Sequence, residues 1–404
     1  MNNIPQIRFP EFVNEKSWNE KSLEQISPII FDGTHQTPIY ATEGIPFFSV
    51  ENLISGNKNK FISLEDHRIA TNKNKPEKGD ILITRIGNIG FSKIIDWDYE
   101  FSIYVTLAVI KQSKEFNSYY LHSFFQSNYY QKEIRSKSLL SAVPCKINMN
   151  ELRKTLVLIP PSLQEQKKIA DCLSSLDELI TGYEGKLKAL QNHKKGMMQN
   201  LFPQEGKAVP NYRFPEFKND DAWEVKTLNE VSTIVMGSSP KSSFYNENKI
   251  GLPLLQGNAD IKNRLSVPRI YTSEITKECQ INDILLGVRA PVGTVAKSNH
   301  KACIGRGIAA IRAKEDNSQE LLYQWLMSFE PFWQNISQGG TFDAVNSDDI
   351  RSLLLPLPKP KEQQKIAKCL SSIDELIIDQ TNKIEQLKLH KKGLMQGLFP
   401  KTEE

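Results

Sequence analysis

This 404-residue chain contains no run of 18 apolar residues, so no membrane-spanning helix is expected. Its opening stretch, MNNIPQIRFPEF, has no basic segment followed by an apolar core, and no secretory signal is expected. The five cysteines are scattered, with neither CxxC nor a Cys/His ligand spacing. That argues against zinc and disulfide frameworks and fits a reducing cytoplasm. Catalytic signatures are also scarce. There is no GxxxxGK[ST] phosphate loop, no HExxH and no Asn/Asp-Pro-Pro-aromatic sequence, and the six histidines form no cluster. Gly305-Arg306-Gly307-Ile308-Ala309-Ala310 matches GxGxxA in form. A strand pattern follows it where a dinucleotide site needs a helix, so that reading fails. Asp220-Asp221 and Asp348-Asp349 lack a metal-ligand companion and read as surface turns. The net charge of +4 neither demands nor excludes a polyanionic partner.

What is present is a duplication. Residues 165–203 (EQKKIADCLSSLDELITGYEGKLKALQNHKKGMMQNLFP) and 362–400 (EQQKIAKCLSSIDELIIDQTNKIEQLKLHKKGLMQGLFP) align without a gap, and 24 of 39 positions are identical. Each copy carries a 3.5-residue apolar period. The first runs through Ile169, Leu173, Leu176, Ile180, Tyr183, Leu187 and Leu190, and the second through Ile366, Leu370, Ile373, Ile377, Gln380, Ile384 and Leu387. That period predicts two long helices, each with a coiled-coil seam, rising roughly 54 Å over about 36 residues. A lone helix of this kind would expose its stripe, and the other copy is the nearest partner. Gln380, Lys194 and Lys391 also fall on the seam, so fraying or a partner subunit is expected there. Gly182 and Gly185 weaken the first helix locally.

A second duplicated segment precedes each helix. IRFPEFVNEKSWNEKSLEQIS (7–27) matches YRFPEFKNDDAWEVKTLNEVS (212–232). Between the markers lie two blocks that differ in sequence and share an order of elements. ILITRIGNIG (81–90) and NDILLGVRAPVG (282–293) read as strands entering glycine turns. SIYVTLAVIK (102–111) and IGRGIAAIRAK (304–314) read as the next strand. Helical patterns at 118–134 and 319–336 follow, then short apolar strands TLVLIP (155–160) and SLLLPLP (352–358).

Basic residues concentrate in corresponding parts of the blocks: eight against four acidic between 52 and 93, and ten against three between 262 and 314. Two matched basic surfaces held apart by a rod suit double-stranded DNA. Candidate contacts are Thr34, His35, Gln36, Thr37, Lys58, Lys60, Arg85 and Asn88 in the first block. In the second they are Ser238, Ser239, Lys241, Arg264, Arg289 and Arg306. Hydroxyls, amides, Arg and Lys are what phosphates and base edges require.

The doubled EQ(K/Q)KIA…LSS(L/I)DELI…HKKG(M/L)MQ(N/G)LFP motif, each copy following a block that ends in a proline-flanked apolar strand, closely resembles the specificity subunit of type I restriction-modification systems. The block openings, GTHQTP…GIPFFSVENL (33–53) and GSSPKSS…GLPLLQGNADI (237–261), resemble that family's target-recognition domains. The resemblance covers essentially the whole chain. It implies an α+β fold with a pseudo-two-fold duplication: recognition domains at 1–160 and 206–358, and conserved helical regions at 161–205 and 359–404 that pair as an antiparallel coiled coil. It implies a noncatalytic subunit whose domains each read half of a split, asymmetric DNA site, while the helices fix the spacer. Two modification subunits using S-adenosylmethionine and two motor-nuclease subunits using ATP and Mg2+ would dock on it. No cofactor is expected in this chain. A single-chain restriction or methylation enzyme would need motifs that are missing. A coiled-coil scaffold spacing two proteins without DNA readout is the competing reading.

Overall fold

The computed structural model describes residues 3–204, 206–333 and 345–401. Positions 334–336 of the expected helix at 319–336 lie outside the described residues. The chain divides into two compact units, Met1–Glu184 with Lys383–Glu404, and Gly185–Asn382.

In the first unit, strands Ile30–Asp32, Leu107–Ile110, Ile81–Thr84 and Ser92–Ile94 form an antiparallel sheet in that order. A second sheet orders Phe61–Ile62, Ile45–Phe48 and Ser102–Ile103, the last two parallel. The strand expected at 102–111 is therefore two strands. A turn at 104–106, closed by the Leu107 N–H on the Tyr104 carbonyl at 2.9 Å, passes the chain from one sheet to the other. The helix expected at 118–134 is also two, Ser118–Phe125 and Asn128–Ser136. The Ser127 side chain accepts from the Tyr130 N–H and starts the second as an N-cap, a local bond that the apolar period cannot register.

The second unit follows the same plan. Its larger sheet orders Ser232–Met236, Ile308–Ala313, Ile284–Gly287, Val295–Lys297, Leu265–Ser266 and Ile261–Lys262. Its other sheet pairs Leu252–Leu255 in parallel with Ala302–Ile304. The strand expected at 304–314 begins at Ile308, because Gly305–Gly307 form the turn between sheets. Helix Gln319–Phe329 then gives way to a 3-10 turn, Glu330–Phe332.

Two helices of 39 residues follow the blocks, Leu163–Leu201 and Pro360–Leu398. The first continues through Gly182 and Gly185. The EQ pair that opens each repeat is an anchor. Glu165 accepts two hydrogen bonds from Arg8 at 2.7 Å each and one from the Trp18 indole at 3.3 Å. Glu362 accepts from Arg213 at 2.9 and 2.7 Å. Gln166 accepts from the Asn117 N–H, and Gln363 from the Ser318 N–H, each at 2.8 Å. These buried, bidentate pairs explain why RFPEF and EQ recur together.

The helix ends are exchanged between cores. Phe399, at the end of the second helix, packs edge-on against Trp18, Tyr120 and Phe124 in the first unit. Leu201 and Phe202, at the end of the first helix, join Trp223, Leu228 and Ile366 in the second unit.

The charged seam positions do not fray. Lys194 is 5% exposed and donates to both carboxylate oxygens of Asp374, at 2.6 and 2.8 Å. Lys391 does the same to Asp177, at 2.6 and 2.7 Å. Gln380 is buried. Each lysine meets an aspartate from the other long helix, which the period of one helix does not disclose.

Candidate nucleic-acid interface

In the second unit, four turns at strand ends converge on one open cavity of about 420 Å³. They are the loop after Ser232–Met236, the turn after Leu252–Leu255, the turn after Ile284–Gly287, and Gly305–Gly307. Ser239, Tyr245, Gln256, Asn258, Arg289 and Arg306 line it. The turns are held by specific bonds. The Arg306 N–H donates to Ser239 Oγ at 3.1 Å, and Asn258 Nδ2 donates to the Pro291 carbonyl at 2.7 Å. Glycine at 307 is a steric need, since a Cβ there would collide with the Gln256 carbonyl. The GxGxxA match thus marks a tight crossing of chain segments.

Of the residues proposed from sequence, Ser239, Arg289 and Arg306 line this cavity. Ser238 and Lys241 lie exposed on the same loop. Arg264 stands apart. Both its terminal nitrogens are held by Glu330, and one also donates to the Val295 carbonyl. Burial works against its charge, but the Glu330 bonds outweigh this and raise its pKa.

In the first unit, Thr34, His35, Gln36 and Thr37 form the equivalent loop. The Thr34 N–H donates to the Ile103 carbonyl, as the Ser238 N–H does to that of Ile304. Thr37 Oγ1 meets the Tyr104 hydroxyl at 3.1 Å, and His35 Nε2 meets Asp32 at 3.0 Å. Arg85 is buried. Its guanidinium donates to Asp32 at 3.1 Å and to the Val105 carbonyl at 2.8 Å. Burial lowers its pKa, and Asp32 opposes that. Arg85 therefore ties the loop together and is not offered to solvent. Asn88 is exposed at the tip of the glycine turn, and its carbonyl accepts from the Thr84 hydroxyl. Lys58 sits 3.8 Å from the Tyr99 ring centroid, and Lys60 pairs with Glu51 at 3.2 Å.

The local excess of basic residues is partly neutralised by acids from outside the counted windows. Lys75 pairs with Glu100, Lys78 with Asp98 and Lys297 with Glu320. Sequence reasoning missed Tyr245, Gln256 and Asn258, whose place at the cavity depends on strand ends meeting. It also missed a duplicated ion pair on a buried aspartate, Lys111 with Asp80 and Arg312 with Asp283. The Asp opening GDIL and NDIL was its available signal. Among the described residues, no group of three or more His, Cys, Asp or Glu could hold a metal ion. No described helix is long and apolar enough to cross a membrane.

The family described as the type I restriction modification DNA specificity domain matches residues 15–192 and 220–389. The two matches together span most of the chain, one for each half of the duplication. The chain belongs to this family. As a specificity subunit of a type I restriction-modification system, it is noncatalytic. It is 34% identical over 402 residues, 95% of this chain and 93% of the relative, to the putative type I restriction enzyme MjaX specificity subunit of Methanocaldococcus jannaschii. It is 25% identical over 377 residues to that organism's MjaVIII specificity subunit, covering 88% of this chain and 85% of the relative. In fold it is similar to the S subunit from M. genitalium, with TM-score 0.68, 15% identity, and 99% and 100% of the two chains covered.

Proposed function

We propose that this specificity subunit binds a bipartite, asymmetric site in double-stranded DNA, with each unit reading one half-site. The observation that carries the reading is the pair of equivalent loop clusters bearing different side chains. Matching backbone bonds (Arg85 N–H to the Thr106 carbonyl, Val288 N–H to the Gly307 carbonyl) put Ile86 where Arg289 stands and Val105 where Arg306 stands. A shared scaffold with unlike tips suits two unlike half-sites. Arg85 acts in this reading as a positioning residue for the Thr34–Thr37 loop.

The long helices pair as an antiparallel coiled coil and set the spacer. Support comes from the least exposed faces of both helices, which follow the 3.5-residue seam. Lys388 meets Glu184 where Lys391 meets Asp177, so one helix ascends as the other descends. At 1.5 Å per residue, 39 residues rise about 58 Å, enough to hold two readers one or more DNA turns apart. The functional division is recognition domains at 1–160 and 206–358, with helical regions at 161–205 and 359–404.

Two modification subunits, which bring S-adenosylmethionine, and two motor-nuclease subunits, which bring ATP and Mg2+, dock on the helical regions in the cytoplasm. A solved chain from work on complex assembly of the type I R-M system shares the fold at TM-score 0.59 and 22% identity. Gel shift of the full chain with DNA across a salt series tests DNA binding. A DNA reader loses log affinity against log salt with a slope of about −0.9 per phosphate neutralised. A protein scaffold without readout shows no DNA binding at any salt.

A further inference from the structure

We propose that the second unit reads guanine through Arg289 and Arg306, and that these two side chains set the specificity of its half-site. The proposal rests on the DNA reading given above. It starts from a division among the arginines of that unit. Arg213 is held by Glu362, Arg264 by Glu330, Arg269 by Asp260 and Arg312 by Asp283. Arg351 is held by Ser347 and Asn229. Arg289 and Arg306 are exposed, and among the described residues their guanidinium groups make no hydrogen bond or ion pair. Both line the same cavity.

The backbone presents them rigidly. Arg306 sits between Gly305 and Gly307, with its own N–H fixed on Ser239 Oγ. The turn after Arg289 is tied to Asn258 through the Pro291 carbonyl. Loops pinned this way lose little freedom on binding, which favours directional readout over loose charge attraction. A guanidinium fork matches guanine, whose O6 and N7 are adjacent acceptors in the major groove. Gln256 adds a complementary group. It donates its amide to the Tyr245 hydroxyl at 2.9 Å, leaving its carbonyl oxygen to accept from a base amine. The first unit has Ile86 and Val105 at the matching positions, so these two contacts have no counterpart there.

The test expresses the full chain with its modification subunit and reads the methylated motif by single-molecule sequencing, beside competition binding of the full chain on matched and mismatched DNA. Both side chains are exposed and neither guanidinium makes a hydrogen bond or ion pair among the described residues, so Arg289→Ala and Arg306→Ala are expected to leave the fold intact. Each substitution is expected to make one G·C position of one half-site degenerate. Discrimination there falls about tenfold to a hundredfold, with the other half-site and the spacer unchanged. Arg289→Lys does not restore it, because a point charge cannot pair bidentately. An unchanged motif in both alanine variants overturns the proposal while leaving DNA reading intact. So does a uniform loss of affinity on every sequence with a salt slope smaller by about 1, which marks a phosphate contact. Wild-type chain without salt-dependent DNA binding removes the DNA reading itself, and this proposal with it.

Discussion

Arg85 and Arg289 follow equivalent strands one register position apart, and the pleat sends successive side chains to opposite faces. Arg85 turns inward onto Asp32, whereas Arg289 turns out into the cavity. Both arginines were legible in the sequence beside their glycine turns. The face each takes was not, because it depends on which residue pairs across the sheet. His122 is a second residue whose role comes from its surroundings. Its ring nitrogens meet Ser92 and Gln126, each at 2.9 Å. Burial, with the Lys391 ammonium adding to it and Asp177 opposing, pushes the imidazole from 6.5 down to about 4. A depressed histidine favours the folded state above its unfolded pKa, and that stability is lost as pH falls from 6.5 towards 4. Denaturant unfolding of the wild type is therefore expected to weaken by about 2 kcal/mol between pH 6.5 and 4.5 through this group. His122→Gln should show a shallower slope over that interval, where most paired carboxylates are still ionised.

At the scale of elements, the long helices were the most legible part of the chain. A sustained 3.5-residue period over 39 residues leaves little room for another structure. The short strands and paired short helices of the blocks were blurred, because caps at Asn117 and Ser127 and a two-sheet crossover at 104–106 decide their limits. The helices carry a prediction of their own. Inserting four residues near Thr181–Lys186 adds roughly one turn, about 6 Å of rise. Methylome sequencing should then show a longer spacer between unaltered half-sites. Altered half-sites with an unchanged spacer would remove the ruler.

For the whole molecule, the first core is completed from the far end of the chain, while the second is completed by the end of the helix that directly precedes it. Phe399 is 2% exposed and lies among Trp18, Tyr120 and Phe124, so it acts as a core residue of the first unit. Phe399→Ala should cost about 3–5 kcal/mol there. Hydrogen exchange should speed up across residues 18–160 and leave 223–358 near the wild-type level. Phe202→Ala should show the reverse, and faster exchange in both halves from either change would count against two separate cores.

The sequence by itself determined the duplication, the two long helices, the mixed character of the blocks and the family, because periodicity and repeated motifs are properties of the chain read in order. Tertiary structure decided which charges remain free. Glu330, Asp260, Asp283 and Asp32 come from other parts of their units to hold Arg264, Arg269, Arg312 and Arg85. Side-chain direction and ion pairing depend on what lies across the sheet or beside the helix, so only the folded chain could single out Arg289 and Arg306 from their basic neighbours.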